Sequence, residues 1–300
     1  MRRLILKKFE CHINIDRTIN IVDALQIQCD LTVGEIKKAI DKGALWHSRD
    51  KTTQRCRRLK KTLHIGDKLH FYYDLNVLCQ IPSPATLIAD LGGYSVWYKP
   101  YGMLSQGSKW SDHCTIMRWA QKNLRPERAV FPVHRLDRAA TGLILVAHSK
   151  SVARALSLMF EQHQLEKNYL IIVHGNHQPR PQPETIEHAI DDKDARSHFL
   201  CLEYNQENNL SLLQVKIESG RKHQIRIHAA SIGLPIVGDR LHGNVSELEP
   251  AMVFNEQVDL QLCAAKLKFI CPINKTEQQF SVPDELQPQL AKLNCTKLSD

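Results

Sequence analysis

The spacing of apolar residues separates a short first part of the chain from a longer second part. In residues 31–40 apolar side chains recur at helical spacing, which predicts a helix that Gly43 ends. Residues 44–46 and 68–72 are short runs rich in apolar and aromatic side chains, which predict strands. The first part therefore predicts a small α/β unit.

The second part contains one run that is apolar on both faces, Gly142 to Ala147, which predicts a central strand of a sheet. Leu213, Val215 and Ile217 alternate with polar residues, as in a half-buried antiparallel strand. Further strands are predicted at residues 95–98 and 169–173, and helices at residues 151–163 and 220–232. Because strands outnumber helices and do not alternate regularly with them, we predict an α+β fold with a mixed or antiparallel sheet and flanking helices.

Composition places the chain among globular proteins. Of its 300 residues, 43% are apolar and 24% are charged, which excludes disordered, collagen-like and disulfide-scaffold proteins. No apolar run approaches the roughly 20 residues of a membrane-spanning helix, and no secretory pattern follows the basic start, residues 1–8. The nine cysteines are scattered without a C-x-x-C pair, as in a protein with reduced thiols. We expect a cytoplasmic protein without a membrane partner, a disulfide or a metal site.

Nearly all of the excess positive charge lies in the first part. Residues 1–81 contain 16 Lys and Arg against 9 Asp and Glu, which is +7 of the total charge of +8. The densest stretch, the basic run, has seven cations and one acid, Asp50. Its cations are Arg49, Lys51, Arg55, Arg57, Arg58, Lys60 and Lys61. Such a concentration favours a nucleic-acid partner, because each neutralised phosphate releases counterions, whereas a solvated loop is the alternative.

Two stretches of the second part combine charged side chains with apolar surroundings. Residues 131–142 place Asp137 with one histidine and two arginines in the connection that enters the predicted central strand. A carboxylate there needs nearby cations to stay ionised, and a structural ion pair is the alternative interpretation. Residues 219–228 open a predicted helix with cations, against the preference of helix N-termini for negative charge. This second stretch indicates that an anion lies nearby.

These stretches resemble the sequence signatures of the RluA-type pseudouridine synthases. His134-Arg135-Leu136-Asp137, followed by Thr141-Gly142-Leu143, is similar to the family's His-Arg-Leu-Asp-x-x-Thr-Ser-Gly. Three further segments occur in the family's order: Lys99-Pro100-Tyr101-Gly102, then Glu166-Lys167-Asn168-Tyr169, then Gly220 to His228 with Gly233-x-Pro235-x-x-Gly238-Asp239 after it. The likeness covers about residues 90–275 and implies the pseudouridine synthase fold.

The resemblance implies an isomerase that converts uridine in RNA to pseudouridine without a metal or an organic cofactor. It implies that Asp137 is the essential carboxylate, either as a nucleophile or as a base that removes a sugar proton. It also implies that Arg226 keeps Asp137 ionised through a charge pair. Tyr169 would stack on the target uracil and assist the final proton removal from the ring, and a core tyrosine is the alternative.

The resemblance also implies contacts to RNA. Because a paired target base must be extruded, Arg135 would fill the space that the base leaves, whereas an ion pair near Asp137 is the alternative. The RNA-binding residues expected in the second part are Arg135, His134, Arg221, His223 and Gln224. The seven cations of the basic run are expected to contact RNA as well.

The resemblance predicts a division into domains. Residues 1–81 resemble a divergent form of the RNA-binding module named for ribosomal protein S-four, with Ile21-Val22-Asp23 in place of its Arg-Leu-Asp. A linker is predicted at residues 82–89, a catalytic domain at residues 90–283 and a C-terminal tail at residues 284–300. The module makes large-subunit ribosomal RNA the first expected substrate and transfer RNA the second, and a monomer is expected.

One departure from the family pattern concerns the loop after Asp137. Ala140-Thr141-Gly142 stands where the family has Thr-Ser-Gly, so one hydroxyl is missing. We expect activity to survive, on the hypothesis that these hydroxyls only support the loop backbone.

Other classes of function fit the sequence less well. No H-E-x-x-H and no glycine-rich phosphate loop occurs, which argues against a metal hydrolase and a nucleotide-binding enzyme. The alternative that stays open is an RNA-binding or ribosome-assembly protein that keeps the synthase fold without turnover.

Overall fold

The computed structural model describes residues 8–243 and 258–293. The chain divides into two compact units, one of residues 1–82 with 106–123, the other of residues 83–105 with 124–300. Each unit has its own buried apolar core. No helix among the described residues is long and apolar enough to cross a membrane.

The first unit is built on a four-stranded antiparallel sheet. Its elements are β1 (Lys8–Asn14), β2 (Ile19–Asn20), α1 (Ile21–Gln28), α2 (Val33–Asp41), β3 (Leu45–Arg49), β4 (Thr52–Arg55), β5 (Thr62–Leu63), β6 (Lys68–Asp74), α3 (Leu75–Leu78) and α4 (Ile116–Asn123). The strand order in the sheet is β1-β6-β3-β4, and β2 pairs separately with β5. The helix and both strands predicted in this part are present.

Alternation along the strands decides which face of this sheet is buried. In β6, Leu69, Phe71 and Tyr73 are buried, whereas the residues between them are partly exposed. The buried side chains form one cluster with Ile36 and Ile40 of α2. The helices therefore cover one face of the sheet and leave the other face open.

The second unit is built on a ten-stranded mixed sheet. Its elements are β7 (Thr86–Asp90), β8 (Tyr94–Lys99), β9 (Phe131–Pro132), β10 (Thr141–Ala147), α5 (Lys150–Glu161), β11 (Leu165–His174), β12 (Glu184–Ile186), β13 (Ser197–Asn205), β14 (Leu210–Ile217), α6 (Gln224–Ser231), β15 (Leu262–Ile270) and β16 (Glu277–Ser281). The strand order is β12-β13-β14-β11-β15-β10-β8-β7, with β16 on β15 and β9 on β10. The predicted α+β class with a mixed sheet and flanking helices is confirmed.

The two longer helices of this unit cover different groups of strands. Leu156 and Met159 of α5 pack with Leu143 and Leu145 of β10, as the apolar periodicity of residues 151–163 predicts. Ile225 and Ala229 of α6 belong to a second cluster, with buried residues of β11, β13 and β14. The strand β10 lies between β8 and β15, so the prediction of a central strand is confirmed.

Gly142 allows the only parallel pairing among the described strands. It lies opposite Ala264 of β15, with φ at +111°. A Cβ atom on Gly142 would lie 2.4 Å from the backbone nitrogen and oxygen of Ala264. Any larger residue would therefore push β15 away from the strand that follows Asp137.

The structure differs from the predicted domain boundaries in three places. The predicted linker, residues 82–89, contains most of β7, because Thr86, Leu87 and Ala89 pair with β8. Residues 106–123, predicted as catalytic domain, belong to the first unit. Of the predicted tail, residues 284–293 contain two 3₁₀ turns, and Leu290 is buried against Val237. The rest of that tail lies outside the described residues.

Candidate active site

The loop between β9 and β10 carries Asp137 and is fixed by a buried serine. Ser105 Oγ donates a hydrogen bond to the carbonyl oxygen of Leu136 at 2.7 Å and accepts one from the Leu136 N–H at 2.9 Å. Because both bonds are made to the residue just before Asp137, they hold the loop backbone at this point.

Lys99, the first residue of the Lys-Pro-x-Gly segment, ties three stretches of backbone together. Its fully buried Nζ donates to the carbonyl oxygens of Met103 at 2.9 Å, Pro100 at 3.1 Å and Arg138 at 3.4 Å. Burial lowers the pKa of Lys99 to about 7, although the nearby charge of Asp137 acts in the opposite direction. The segment therefore supports the residue that follows Asp137.

Asp137 lies beside two cationic or titratable side chains that come from the start of α6. Its Oδ2 is 3.9 Å from Arg226 Nη1 and 3.7 Å from His223 Nε2. The carboxylate is 26% exposed, so it is accessible from the cleft, whereas the Arg226 side chain is 8% exposed. The structure thus brings together the two groups that the resemblance pairs.

The closest partner of Arg226, however, is Asp239. The Nε of Arg226 donates to Asp239 Oδ2 at 2.7 Å, and its Nη2 donates to Oδ1 at 2.6 Å. The backbone N–H groups of Leu241 and His242 also donate to Asp239. Burial by itself would raise the pKa of Asp239, but these hydrogen bonds bring it below its ordinary value. The expectation of a simple Asp137–Arg226 pair is corrected to a three-residue cluster.

The start of α6 also differs from the prediction. The helix begins at Gln224 rather than after Ser219-Gly220, because His223 has a left-handed backbone with φ at 55°. His242 Nε2 and His223 Nδ1 share a hydrogen bond of 3.0 Å, in which either ring can be the donor. Burial lowers the pKa of both imidazoles. His242 was not predicted as a site residue, although it lies three residues after the Gly238-Asp239 segment that the resemblance includes.

Gln224 was predicted to contact RNA, and the structure contradicts this role. Its side chain is buried, its oxygen accepts from Ser219 Oγ and the Arg221 N–H, and its NH₂ group donates to Arg196 O and Ser197 Oγ. All four bonds are internal, so Gln224 anchors the turn that leads into α6.

His134 was also predicted to contact RNA, but its half-buried ring is bonded and stacked within the protein. Its Nε2 accepts a hydrogen bond from the Leu145 N–H at 3.0 Å, and its ring stacks on Phe160 with centroids 4.1 Å apart. Burial lowers the pKa of His134 to about 3, which matches an imidazole that accepts a backbone N–H. His134 therefore fastens the loop before Asp137 to β10 and α5.

Tyr169 lies on β11 at an irregularity in its pairing with β15. The register shifts between Asn168 and Tyr169, and such bulges redirect a side chain. Burial, followed by the charge of Asp137, raises the pKa of Tyr169. The neighbouring Lys167 is buried, its Nζ donates to Ser219 O at 3.3 Å, and burial lowers its pKa to about 8.

Asp137, Tyr169 and Arg226 line one cleft of about 380 Å³, a volume within the usual range of ligand sites. Its walls are Arg135, Leu136, Asp137, Ala140, Tyr169, Ile217, Gly220, Arg221, Lys222, His223, Gln224, Ile225, Arg226 and Leu262. Ile217, Leu262 and Tyr169 form apolar walls. Three cations, Arg221, Lys222 and Arg226, come from α6 or the turn before it, whereas Arg135 comes from the loop that carries Asp137. Arg135 is exposed, and Arg221 Nε donates to Asp194 O at 3.0 Å. Of the predicted second-unit residues, only His134 is not in the cleft.

The two residues that depart from the family pattern, Ala140 and Thr141, each contact other parts of the second unit. Ala140 is buried in the apolar cluster under α6, where a methyl group fits. Thr141 Oγ1 donates to the Leu262 carbonyl at 3.3 Å, a contact to backbone. The second observation agrees with the hypothesis that a hydroxyl at this position supports the backbone.

The basic run of the first unit separates into two groups. Arg49 forms two hydrogen bonds with Asp67, and Lys61 Nζ is 3.0 Å from His47 Nδ1. Arg55 and Arg57 both form ion pairs with Asp112, and Arg55 lies over the Trp46 ring. These four residues have internal partners, so the expectation that all seven are free RNA contacts is corrected. Lys51, Arg58 and Lys60 are exposed, and so is Arg49 although it is bonded to Asp67.

Metal ligands are not grouped in the described part of the chain. Among residues 8–243 and 258–293, no three His, Cys, Asp or Glu side chains are placed to hold a metal ion. The eight cysteines of this part are free thiols.

Known proteins match this chain over the part that contains the four motifs. The family described as RNA pseudouridylate synthase matches residues 93–231. tRNA pseudouridine synthase C of Pasteurella multocida is 32% identical over 208 residues, 61% of this chain and 84% of that protein. The protein of the same name from Vibrio cholerae is 32% identical over 201 residues, 58% of this chain and 80% of that protein. The one from Yersinia pestis is 35% identical over 176 residues, 50% of this chain and 66% of that protein.

Solved structures share the fold. Human RNA Pseudouridylate Synthase Domain Containing 1 superposes with a TM-score of 0.58 at 22% identity, covering 74% of this chain and 94% of that one. Human RNA Pseudouridylate Synthase Domain Containing 4 has a TM-score of 0.53 at 20% identity, covering 66% and 88%. The four motifs, the fold and the relatives agree, and the chain belongs to the RluA-type RNA pseudouridylate synthases, which makes it an isomerase.

Proposed function

We propose that this chain isomerises a uridine of transfer RNA, and that Asp137 is the carboxylate that acts on the target nucleotide. The observation that carries the proposal is the position of Asp137, accessible from the cleft and flanked by Arg226 and His223. Breaking a nitrogen–carbon glycosidic bond needs an anion beside the sugar, and a nearby guanidinium favours the ionised carboxylate. The cleft supplies both.

Either possible role of Asp137 uses the oxygen atoms of its carboxylate. As a nucleophile, the carboxylate would bond to the ribose carbon while the electrons of the glycosidic bond move to the uracil, and it would leave again when a ring carbon of the uracil bonds to that ribose carbon. As a base, it would take a proton from the sugar and release the base by elimination. In each case Arg226 stabilises the ionised carboxylate before the step and again when it is regenerated, and Asp239 holds Arg226 in place.

The other cleft residues suit an extruded nucleotide. Tyr169, Ile217 and Leu262 offer apolar surface to a uracil ring, and Arg135 at the mouth can occupy the space that the base leaves in the RNA. Arg221 and Lys222 also line the cleft, and as cations they would contact phosphates that flank the target. Burial disfavours the ionised form of Tyr169, so a stacking role suits it better than that of a base.

The relatives favour transfer RNA over the ribosomal RNA expected from the sequence. Several similar proteins bear the name tRNA pseudouridine synthase C. The test compares total RNA from a deletion strain with that of its parent, by mapping carbodiimide-dependent primer stops on transfer and ribosomal RNA. Loss of a stop in transfer RNA supports the proposal, whereas loss only in ribosomal RNA overturns the substrate assignment.

The role of Asp137 is tested with Asp137→Asn, which keeps the shape of the side chain. We expect isomerisation to fall by about 10²–10⁴-fold or more while RNA affinity stays within about twofold. Asp192→Asn, an exposed carboxylate outside the cleft, is the matched control and should keep full activity. Equal activity of Asp137→Asn and its parent would end the catalytic assignment.

The alternative function, an RNA-binding or ribosome-assembly protein without turnover, predicts a different result. Under that alternative, Asp137→Asn and the parent both bind RNA, and neither forms product. Family membership and the presence of Asp137, Tyr169 and Arg226 in one cleft favour catalysis.

A further inference from the structure

The uncovered face of the four-stranded sheet in the first unit carries aromatic and basic side chains. The helices α1 and α2 cover the opposite face, where the apolar residues of the strands point. We call this uncovered surface the open face. Its residues are Lys8, Glu10, His12, Trp46, Arg55, Lys68, His70, Tyr72 and Asp74, with Lys109 and Trp110 from the segment 106–123 of the same unit.

The register of the strands places these side chains in rows. Tyr72 of β6 lies opposite Glu10 of β1. His70 lies opposite His12 of β1 on one side and Trp46 of β3 on the other. Because side chains opposite one another in an antiparallel pair lie on the same face, the rows form one continuous surface.

Trp110 extends this surface beyond the strands. The ring centroids of Trp110 and Tyr72 are 5.8 Å apart, and the ring planes make an angle of 70°. The centroid of the His12 ring is 5.7 Å from that of Tyr72 and 5.1 Å from that of His70. The indole N–H of Trp46 donates to the Lys109 carbonyl oxygen at 2.9 Å, which fixes the segment that carries Trp110. Four rings from three chain segments thus form a connected row.

Cations lie directly on the aromatic rings. Lys8 Nζ is 4.5 Å from the centre of the Trp110 ring, and Lys109 Nζ is 5.0 Å from that of Tyr72. These lysine side chains are 60% and 49% exposed, so each can leave its ring without unfolding the surface. The open face carries four cations, Lys8, Arg55, Lys68 and Lys109, against two acids, Glu10 and Asp74. Lys8 forms an ion pair with Asp74 and Lys109 one with Glu10, and ion pairs of such exposed lysines contribute little stability, so phosphates can compete for both lysines.

This combination matches the chemistry of unpaired RNA. Bases that are not paired stack on aromatic rings, while the phosphates between them attract nearby cations. Stacking of a base on a ring is stronger than an exposed cation–π contact, so the lysines can exchange the rings for phosphates. Duplex RNA keeps its base faces inside the helix and cannot use the rings.

We propose that the open face binds an unpaired segment of the RNA substrate, with bases stacked on Tyr72 and Trp110 and phosphates contacted by Lys8 and Lys109. The inference rests on the proposed action on RNA and adds a binding site in a unit that the family match, residues 93–231, covers only in its 106–123 segment. This binding site differs from the basic run, because Arg55 is the only residue of the basic run on the open face.

The test measures binding of the full chain to a fluorescent single-stranded RNA and to its duplex. Trp110→Leu and Tyr72→Leu remove the rings but keep apolar volume, and each should weaken single-strand binding by about tenfold. Duplex binding should stay within about twofold, and the salt dependence of single-strand binding should not change because no charge is removed. Trp119→Leu on α4, outside the open face, is the matched control.

Charge is tested separately with Lys109→Gln. We expect the slope of log affinity for the single strand against log salt to fall by about 0.7, the value of one phosphate contact. Because this exposed substitution should not disturb folding, it keeps the proposal testable if a Trp110 or Tyr72 variant does not fold.

Several results would overturn the proposal. The proposal is wrong if Tyr72→Leu or Trp110→Leu binds the single strand as tightly as the parent. It is also wrong if the salt slope of Lys109→Gln equals that of the parent. Displacement of the RNA by a polyglutamate peptide as effectively as by unlabelled RNA would show that the face selects negative charge alone. Isomerisation of a saturating minimal stem-loop should persist in the variants, so failure here is distinguishable from failure of the catalytic assignment, which Asp137→Asn tests.

Discussion

Arg226 and Asp239 form a buried two-point ion pair, with hydrogen bonds of 2.7 and 2.6 Å, and a third nitrogen of Arg226 lies 3.9 Å from Asp137. The Asp239 side chain is 1% exposed. Asp239 therefore decides where the guanidinium points, and the position of the charge beside Asp137 follows from it. Asp239 is a positioning residue, since it acts through Arg226.

Removing the charge of Asp239 should lower the stability of the protein. Asp239→Asn leaves a buried guanidinium without its two-point partner, so we expect the free energy of unfolding to fall by about 3–5 kcal/mol. The control is Glu277→Gln, which removes an exposed ion pair with Lys268 and should cost at most about 1 kcal/mol. Urea unfolding at neutral pH measures the free energy of unfolding of both variants. Equal midpoints for the two would contradict the role of Asp239 as the buried partner of Arg226.

The basic run should give different results in its two groups. Replacing Lys51, Arg58 and Lys60 with Ala should lower the salt slope of RNA binding by about 2, since each lost phosphate contact accounts for about 0.7. The free energy of unfolding should hardly change, because these side chains are exposed. A salt slope equal to that of the parent would mean that the exposed cations are only solvated.

Arg57→Ala is the matched variant from the other group. Because Arg57 forms an ion pair with Asp112, we expect lower stability in urea and a smaller effect on the salt slope than in the triple variant.

Lys99 should make stability rise with pH. The pKa of Lys99 is about 7 in the folded protein, whereas in the unfolded chain it has its ordinary value near 10.4. Between these values the unfolded chain binds more protons, so the free energy of unfolding increases by up to about 1.4 kcal/mol per pH unit. Below about pH 7 Lys99 is protonated in both states and contributes no slope.

The measurement compares urea unfolding of the parent with that of Lys99→Met from neutral to alkaline pH. The difference between the two curves should grow with pH, because the variant lacks the contribution of Lys99. Lys150→Met, an exposed lysine at the start of α5, is the control and should follow the parent. Parallel curves for the parent and Lys99→Met would contradict the prediction.

Gly142→Ala should destabilise the second unit far more than an ordinary glycine substitution. Its Cβ would lie 2.4 Å from backbone atoms of Ala264, so we expect a loss of about 3 kcal/mol or more in the free energy of unfolding. Gly66→Ala is the matched control, because Gly66 also has positive φ but no atom within 4 Å of its Cβ position. Its loss should be about 1–2 kcal/mol, and an equal loss in both would argue against the close approach of β15.

The sequence by itself determined the elements and the family. The helical spacing in α2 and α5, the two-faced apolar run of β10 and the alternation in β14 each predict the observed element. Local conformation depends on residues a few positions apart, so these patterns can be read directly. The order of the four motifs likewise predicted the family and placed Asp137, Tyr169 and Arg226 among the site residues.

Only the tertiary structure decided the partners of the charged side chains. Arg226 pairs first with Asp239, His134 accepts a backbone N–H from β10, and Arg55 lies over Trp46. Segment 106–123 likewise joins the first unit rather than the second. The spacing of residues along the chain encodes local conformation, whereas the partner of a charge depends on which distant strands and loops the folded sheet brings within a few ångströms of it.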